Sequence, residues 1–165
     1  MTRCPPSLTL PEPEVNVWMR LYIYGLHGFL IEVLFTAAWD FAVNMDWALV
    51  GCTSFWCLFI YGVGSLVVEQ FYRRYHASVP ILIRGLAYVA WIYIWEFSTG
   101  LALRQYGACP WDYSERSYNL LGLITLEYFP AWYLASLLTE QLLIHNLLFL
   151  SLTPQDSHNR LHHKG

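Results

Sequence analysis

Four apolar runs decide what this chain can fold into: Val17 to Val43, Val50 to Phe71, Ile81 to Leu103 and Leu120 to about Leu150. Each reaches the ~20 residues that carry an α-helix across ~30 Å of hydrocarbon. The last run exceeds one span, so it must tilt or continue past the bilayer, and Pro130 is expected to kink it. A soluble bundle would need polar outer faces on its helices, and these runs have almost none. Only 13% of the residues are charged, 56% are hydrophobic and 18% aromatic, whereas soluble domains carry about 25% charge. The expected fold is all-α, a four-helix transmembrane bundle over 16–150. Residues 1–15, with Pro5, Pro6, Pro11 and Pro13, are expected to form a disordered tail without a cleavable signal. Residues 151–165 form a second polar tail, whose His158, His162 and His163 read as solvated rather than metal-binding.

Lysine and arginine set the orientation. With both termini on one side, that side holds Arg3, Arg20, Arg73, Arg74, Arg84, Arg160 and Lys164, and the other only Arg104 and Arg116. Both termini are therefore expected in the cytoplasm, with the loop after Leu103 on the opposite side. Trp and Tyr cluster near the run ends, as interfacial anchors do.

A duplicated hairpin is also suggested. Trp39-Asp40-Phe41 recurs as Trp95-Glu96-Phe97, and Gly51 to Gln70 aligns without gaps on Gly122 to Gln141. The second hairpin is longer between these landmarks, because it carries the loop with Cys109, Pro110, Trp111, Asp112, Tyr113 and Ser114.

Six of the twelve acids lie in or beside the apolar runs: Glu32, Asp40, Glu69, Glu96, Glu127 and Glu140. An uncompensated charge at mid-bilayer costs ~2.5–3.5 kcal/mol on insertion scales, so these acids must face the bundle, take partners or stay protonated. Small and polar residues at helical spacing mark the inward faces. On the first helix these are Gly25, Gly28, Glu32, Thr36 and Asp40, and on the third Tyr88, Ile92, Glu96 and Gly100. Glu32 and Glu96 each stand fifteen residues beyond the start of their run, hence at equal depth. With Asp40, Glu127 and His27 they are the candidate intramembrane polar centre, and Cys109 to Tyr113 would cover its mouth. Two readings stay open: a proton or cation site on a pathway, or a set of acids that lock helix packing. Glu69 and Arg73, four residues apart, read as an interfacial ion pair.

Other chemistry has no anchor. There is no G-x-x-x-x-G-K, H-E-x-x-H or G-x-S-x-G, so ATP-driven work would need another subunit and the chain is not expected to be an enzyme. No metal or other cofactor is expected: Glu140 with His145, and His27 with Glu32, miss the Glu-x-x-His spacing. Cys4, Cys52, Cys57 and Cys109 read as ordinary thiols, although Cys52 and Cys109 fall near one membrane face and could pair under oxidation. No basic patch points to nucleic acid. The expected partners are the lipid bilayer and either further copies of the chain or another membrane subunit.

A resemblance sharpens this. His27-Gly28, Glu32 with Phe35-Thr36-Ala37-Ala38-Trp39, Phe59-Ile60-Tyr61-Gly62, Trp95-Glu96-Phe97-x-Thr99-Gly100, Arg104-Gln105, Ala108 to Ser114 and Gly122 to Tyr128 are the carrying motifs. On these, from about Trp18 to Gln141, the chain resembles the vertebrate transmembrane protein 229 family, its B-like members above all. Asp40 stands where that family's pattern has Glu. The family is similar in turn to bacterial membrane proteins labelled type IV ABC-transporter permeases. The resemblance implies a multi-pass membrane protein without established catalytic residues. Two functions follow as expectations: a small transport or permease-like component using the intramembrane carboxylates, or a non-transporting scaffold.

Overall fold

The computed structural model describes Leu10 and residues 13–150. The two tails, with Cys4 and the three tail histidines, lie outside the described residues. Of the described residues, 70% are helical. Three long helices are apolar enough to cross a membrane: α1 (Val17–Asn44), α2 (Phe55–Tyr75) and α3 (Ile81–Gln105). A fourth helical run consists of α4 (Phe129–Leu138), a π-helical stretch (Thr139–Ile144) and α5 (His145–Leu148).

The helix starts follow local chemistry. Asn16 caps α1, its side chain accepting the Met19 N–H at 2.9 Å, and Ser54 caps α2. These caps satisfy amide donors that no earlier turn can reach. Met45 closes α1 in the left-handed conformation. Thr36 then stitches the return to the helix it left: its hydroxyl accepts the Cys52 N–H at 2.8 Å.

α1 and α2 form the closest helix pair because glycines let their backbones meet. A Cβ on Gly25 would stand 2.5 Å from the Leu58 carbonyl oxygen, and one on Gly62 would stand 2.8 Å from that of Leu21. Close backbone approach of this kind is how helices gain van der Waals contact where lipid removes the hydrophobic drive. α3 packs on α4, and α2 on both α3 and the π-helical stretch. The main cluster of buried apolar side chains joins Val15, Tyr24, Val68, Tyr72, Tyr88, Ile144, Leu147 and Leu148. Both ends of the described chain therefore meet at one end of the bundle, called here the terminal end. Val15 is 1% exposed, so the proline-rich tail ends in packed structure rather than running disordered to residue 15.

The fourth run differs most from expectation. Residues 120–125 are not helix, and Leu126–Tyr128 make a single 3-10 turn before α4. Asn119–Leu120 pairs antiparallel with Ile124–Thr125 as β1 and β2, and Leu121 and Gly122 turn between them at φ 54° and 67°. A turn needing two positive φ angles, followed by β-branched Ile124 and Thr125, disfavours helix. Pro130 does not kink the helix. It lies in the first turn of α4, where its missing N–H costs nothing. The distortion comes ten residues later, in the π-helical stretch that carries Glu140.

Candidate functional site

The six acids divide into three environments. At the terminal end, Glu69 and Glu140 are fully buried at 0% exposure, and each is held by an arginine from another helix. Arg20 Nε of α1 lies 3.1 Å from Glu69 Oε2, while the neighbour Arg73 is 4.0 Å away. The expected interfacial pair is thus part of a buried inter-helix cluster, because α1 brings a nearer cation. Arg84 of α3 forks onto Glu140, Nε to Oε2 at 2.9 Å and Nη2 to Oε1 at 2.5 Å. Tyr24 donates to Glu69 at 2.8 Å, Tyr88 donates to Glu140 at 2.5 Å, and Gln141 adds a bond to Glu140 at 3.0 Å. Each carboxylate has the cation that a buried charge requires, and Glu140 is bonded on both oxygens, whereas Glu69 Oε1 has no hydrogen bond among the described residues. Two of the seven cations used for orientation, Arg20 and Arg84, are thereby committed to structure.

At the other end the long loop, residues 106–128, bends over the bundle. Asp112 lies on its surface and accepts the Ser114 N–H at 3.0 Å and the Ser114 hydroxyl at 2.5 Å, with Arg104 at 4.0 Å. These bonds hold its carboxyl below the usual range. Pro110 is exposed, and the Cys109 thiol donates to the Trp111 carbonyl at 3.3 Å. Trp111 donates to the Leu123 carbonyl at 3.0 Å and lies where a Cβ on Gly100 would collide with it. Tyr113 N–H bonds the Gly122 carbonyl at 2.8 Å, and its hydroxyl reaches down to Glu96 Oε1 at 2.9 Å. Burial, then the Glu96 carboxylate, push that hydroxyl well above the ordinary tyrosine range, so it stays a donor. Tyr113 packs edge-on against Tyr128, which meets Phe35 and Trp39 of α1. Arg116 lies over both Trp39 and Tyr128. The loop is therefore anchored on α1 and α3 together.

Beneath Tyr113 lies the third environment, with Glu32 and Glu96. Glu32 Oε2 accepts the Thr53 hydroxyl at 2.7 Å and also faces the Cys57 thiol. Glu96 is 9% exposed, and its Oε2 is buried without a hydrogen-bond partner. The two carboxyls are near enough to interact electrostatically, and Tyr61 of α2 is within reach of both. No arginine, lysine or histidine is among the groups acting on Glu96 in the described structure.

The other candidates lie elsewhere. Asp40 accepts from Asn44 Nδ2 at 2.6 Å, beside a shallow cleft with Trp39 and Cys52. It is not the counterpart of buried Glu96, so the Trp39/Trp95 alignment does not match the geometry. Glu127 is exposed and staples the loop, accepting the Ser117 and Tyr118 N–H groups at 2.9 and 3.4 Å and the Thr125 hydroxyl. It lies outside the centre because residues 119–125 form a hairpin and Leu126–Tyr128 only a 3-10 turn, where a continuous helix is expected. His27 is exposed and bonds the Ile23 carbonyl of its own helix at 2.8 Å. Cys52, Cys57 and Cys109 are free thiols. The sequence reading missed Thr53, Cys57 and Tyr61 as neighbours of the pair. It also missed both arginine clusters, although one signal was present: Arg-x3-Tyr-x7-Glu occurs at Arg20, Tyr24 and Glu32 and again at Arg84, Tyr88 and Glu96.

Three bilayer-length apolar helices with ion pairs sealed between them define a multi-pass membrane protein. Residues 19–159 match the family described as "Putative ABC-transporter type IV", and the chain belongs to that family. Its helices fit a membrane transporter-like protein. No solved structure matches the chain.

Proposed function

We propose that this chain is a small transport component whose working centre is the Glu32–Glu96 pair under Tyr113, and that it performs no enzymatic reaction. One observation carries the reading: Glu96 is buried at the depth of Glu32 with an oxygen that no described residue satisfies and, unlike Glu69, with no cation acting on it among the described residues. A buried polar atom left open costs ~1–3 kcal/mol, a cost that a purely packing residue has no reason to retain. Glu140 shows the alternative, a carboxylate bonded on both oxygens, and Glu69, whose Oε1 also lacks a hydrogen bond, is held by the Arg20 cation. The resemblance to the transmembrane protein 229 family agrees with a multi-pass component of this kind. The arginine count supports cytoplasmic termini, which would place the Tyr113 loop outside or in a lumen. Four helical segments make a narrow bundle, so a working pore would include further copies or a second membrane subunit.

The test is charge movement in proteoliposomes of the full chain on solid-supported membranes, after jumps in proton, sodium or potassium concentration. Currents that Asp40→Asn keeps and Glu96→Gln loses support the centre. Currents that survive Glu96→Gln remove Glu96 from it.

A second reading is a non-transporting scaffold. Its supporting observation is that Asp40 and Glu127 are each capped locally. Absence of current under every gradient, with a partner retained in mild detergent, would replace the transport reading with this one.

A further inference from the structure

We infer that the ligand of the Glu32–Glu96 pair is a single exchangeable proton, held on Glu96 Oε2 and sealed from the loop side by Tyr113. This deepens the transport reading and rests on it. The argument begins with the contrast between buried acids in one molecule. Glu140 receives four hydrogen bonds, two from a guanidinium. That is an ionised carboxylate's environment. Glu96 receives one, from a neutral phenol, on Oε1 alone. A neutral carboxylic acid fits this pattern: its carbonyl oxygen accepts from Tyr113, and its other oxygen carries hydrogen.

The groups acting on Glu96 bring no positive charge from any described element. Glu32 comes from α1, Tyr61 from α2, Tyr93 from α3 itself and Tyr113 from the loop, and all are acidic or neutral groups. Two carboxyls that feel each other in a low-dielectric interior do not both ionise, so the pair retains one proton between them. Release would leave a second negative charge beside Glu32, and uptake restores the single charge. Glu32, bonded to Thr53 and facing Cys57, is the member placed to keep the charge.

A metal cation fits less well. Calcium takes about six to eight oxygen ligands. Among the described residues no three His, Cys, Asp or Glu side chains stand together to hold a metal.

The test is equilibrium infrared spectroscopy of the carboxylic C=O stretch, on the full chain in lipid nanodiscs, between about pH 5 and pH 9. The wild type should keep one protonated acid at neutral pH. Glu96→Gln should lose that band, Asp40→Asn should keep it, and Glu32→Gln should keep it but move its titration to lower pH, because the neighbouring negative charge is gone; a band lost in Glu32→Gln and kept in Glu96→Gln would overturn the assignment to Glu96. Tyr113→Phe covers the case in which Glu96→Gln does not fold. It removes the donor to Oε1, so the band must shift to higher frequency, and an unshifted band overturns the proposal. A band absent at neutral pH overturns it too, as does a band bleached by sodium or calcium at constant pH. A persistent band without charge movement in proteoliposomes would sink the transport reading and leave the proton site. Charge movement without the band would do the reverse.

Discussion

Tyr24 and Tyr88 hold the same place in two separate ion clusters. Each follows a buried arginine by four residues and donates to the carboxylate that arginine holds, Glu69 at 2.8 Å and Glu140 at 2.5 Å. In each case the arginine and tyrosine share one helix, and the glutamate comes from a later one. The clusters tie α1 to α2 and α3 to the π-helical stretch, and they leave the Glu32–Glu96 pair at the other end without a cation. The bundle is thus fixed at one end by charges and covered at the other by a loop.

Breaking one of these clusters by halves should cost more than removing it. Arg84→Met leaves Glu140 buried without its cation, a loss of ~3–5 kcal/mol. The double variant Arg84→Met, Glu140→Met removes both charges and should recover most of that loss. A double-mutant cycle on unfolding in mixed micelles reads the difference. With Glu140→Met completing the cycle, a double-variant loss equal to the sum of the two single losses would mean that the fork contributes no coupling.

Tyr113→Phe reports on the charge of Glu96 through its size. A hydrogen bond to a charged group contributes ~1.5–3 kcal/mol, and one between neutral groups ~0.5–1.5 kcal/mol. A neutral Glu96 predicts the smaller loss near neutral pH, measured by the same unfolding experiment. Exchange of the Tyr113 amide, bonded to the Gly122 carbonyl at 2.8 Å, should quicken in this variant, because the hydroxyl anchors the loop to α3.

What the sequence could show was set by the range of the interactions involved. Apolar runs and helix caps are local, so α1, α2 and α3 lie close to their expected spans. The depth of Glu32 and Glu96 is also a count along one helix, and the two carboxyls are near enough to interact electrostatically. Which cation answers Glu69 depends on α1 packing against α2, and an i,i+4 neighbour such as Arg73 hides that. Glu127 was placed in the membrane because residues 120–128 are apolar, yet the left-handed turn at Leu121 and Gly122 outweighs apolarity there. The doubled Arg-x3-Tyr-x7-Glu spacing was visible, but its meaning needed the partner glutamates from other helices.

The loop should be insensitive to pH across the physiological range. Asp112 is held below its ordinary range by Ser114 and then Arg104, so what its ionised form adds is present above the unfolded value of about 3.9 and fades as pH falls through the lower folded value. Hydrogen exchange at the Ser114 amide should therefore keep its protection, once corrected for intrinsic rate, between about pH 5 and pH 8. Asp112→Asn keeps one acceptor oxygen and should retain most of it, whereas Asp112→Ala should lose it. Protection that rises and falls within that window would assign the turn to a different titrating group.

The α1–α2 contact gives the most direct test of the fold. A Cβ on Gly25 would press into the Leu58 carbonyl at 2.5 Å, and backbone on both sides leaves no flexible atom to yield. The helices must separate, which loosens the Tyr24–Glu69 bond one residue away and the Arg20 contact one turn back. Gly25→Ala is expected to cost ~1–3 kcal/mol as overpacking, and Gly25→Leu to abolish the monodisperse peak in size exclusion. Gly107 is the control. Nothing lies within 4 Å of its Cβ position, and only its φ of +63° opposes a side chain. Gly107→Ala should then lose ~1–2 kcal/mol from backbone strain, with the inter-helix clusters intact. If Gly25→Ala were as stable as the wild type, α1 and α2 would not be in backbone contact, and the buried pairing of Arg20 with Glu69 would have to be reassigned with them.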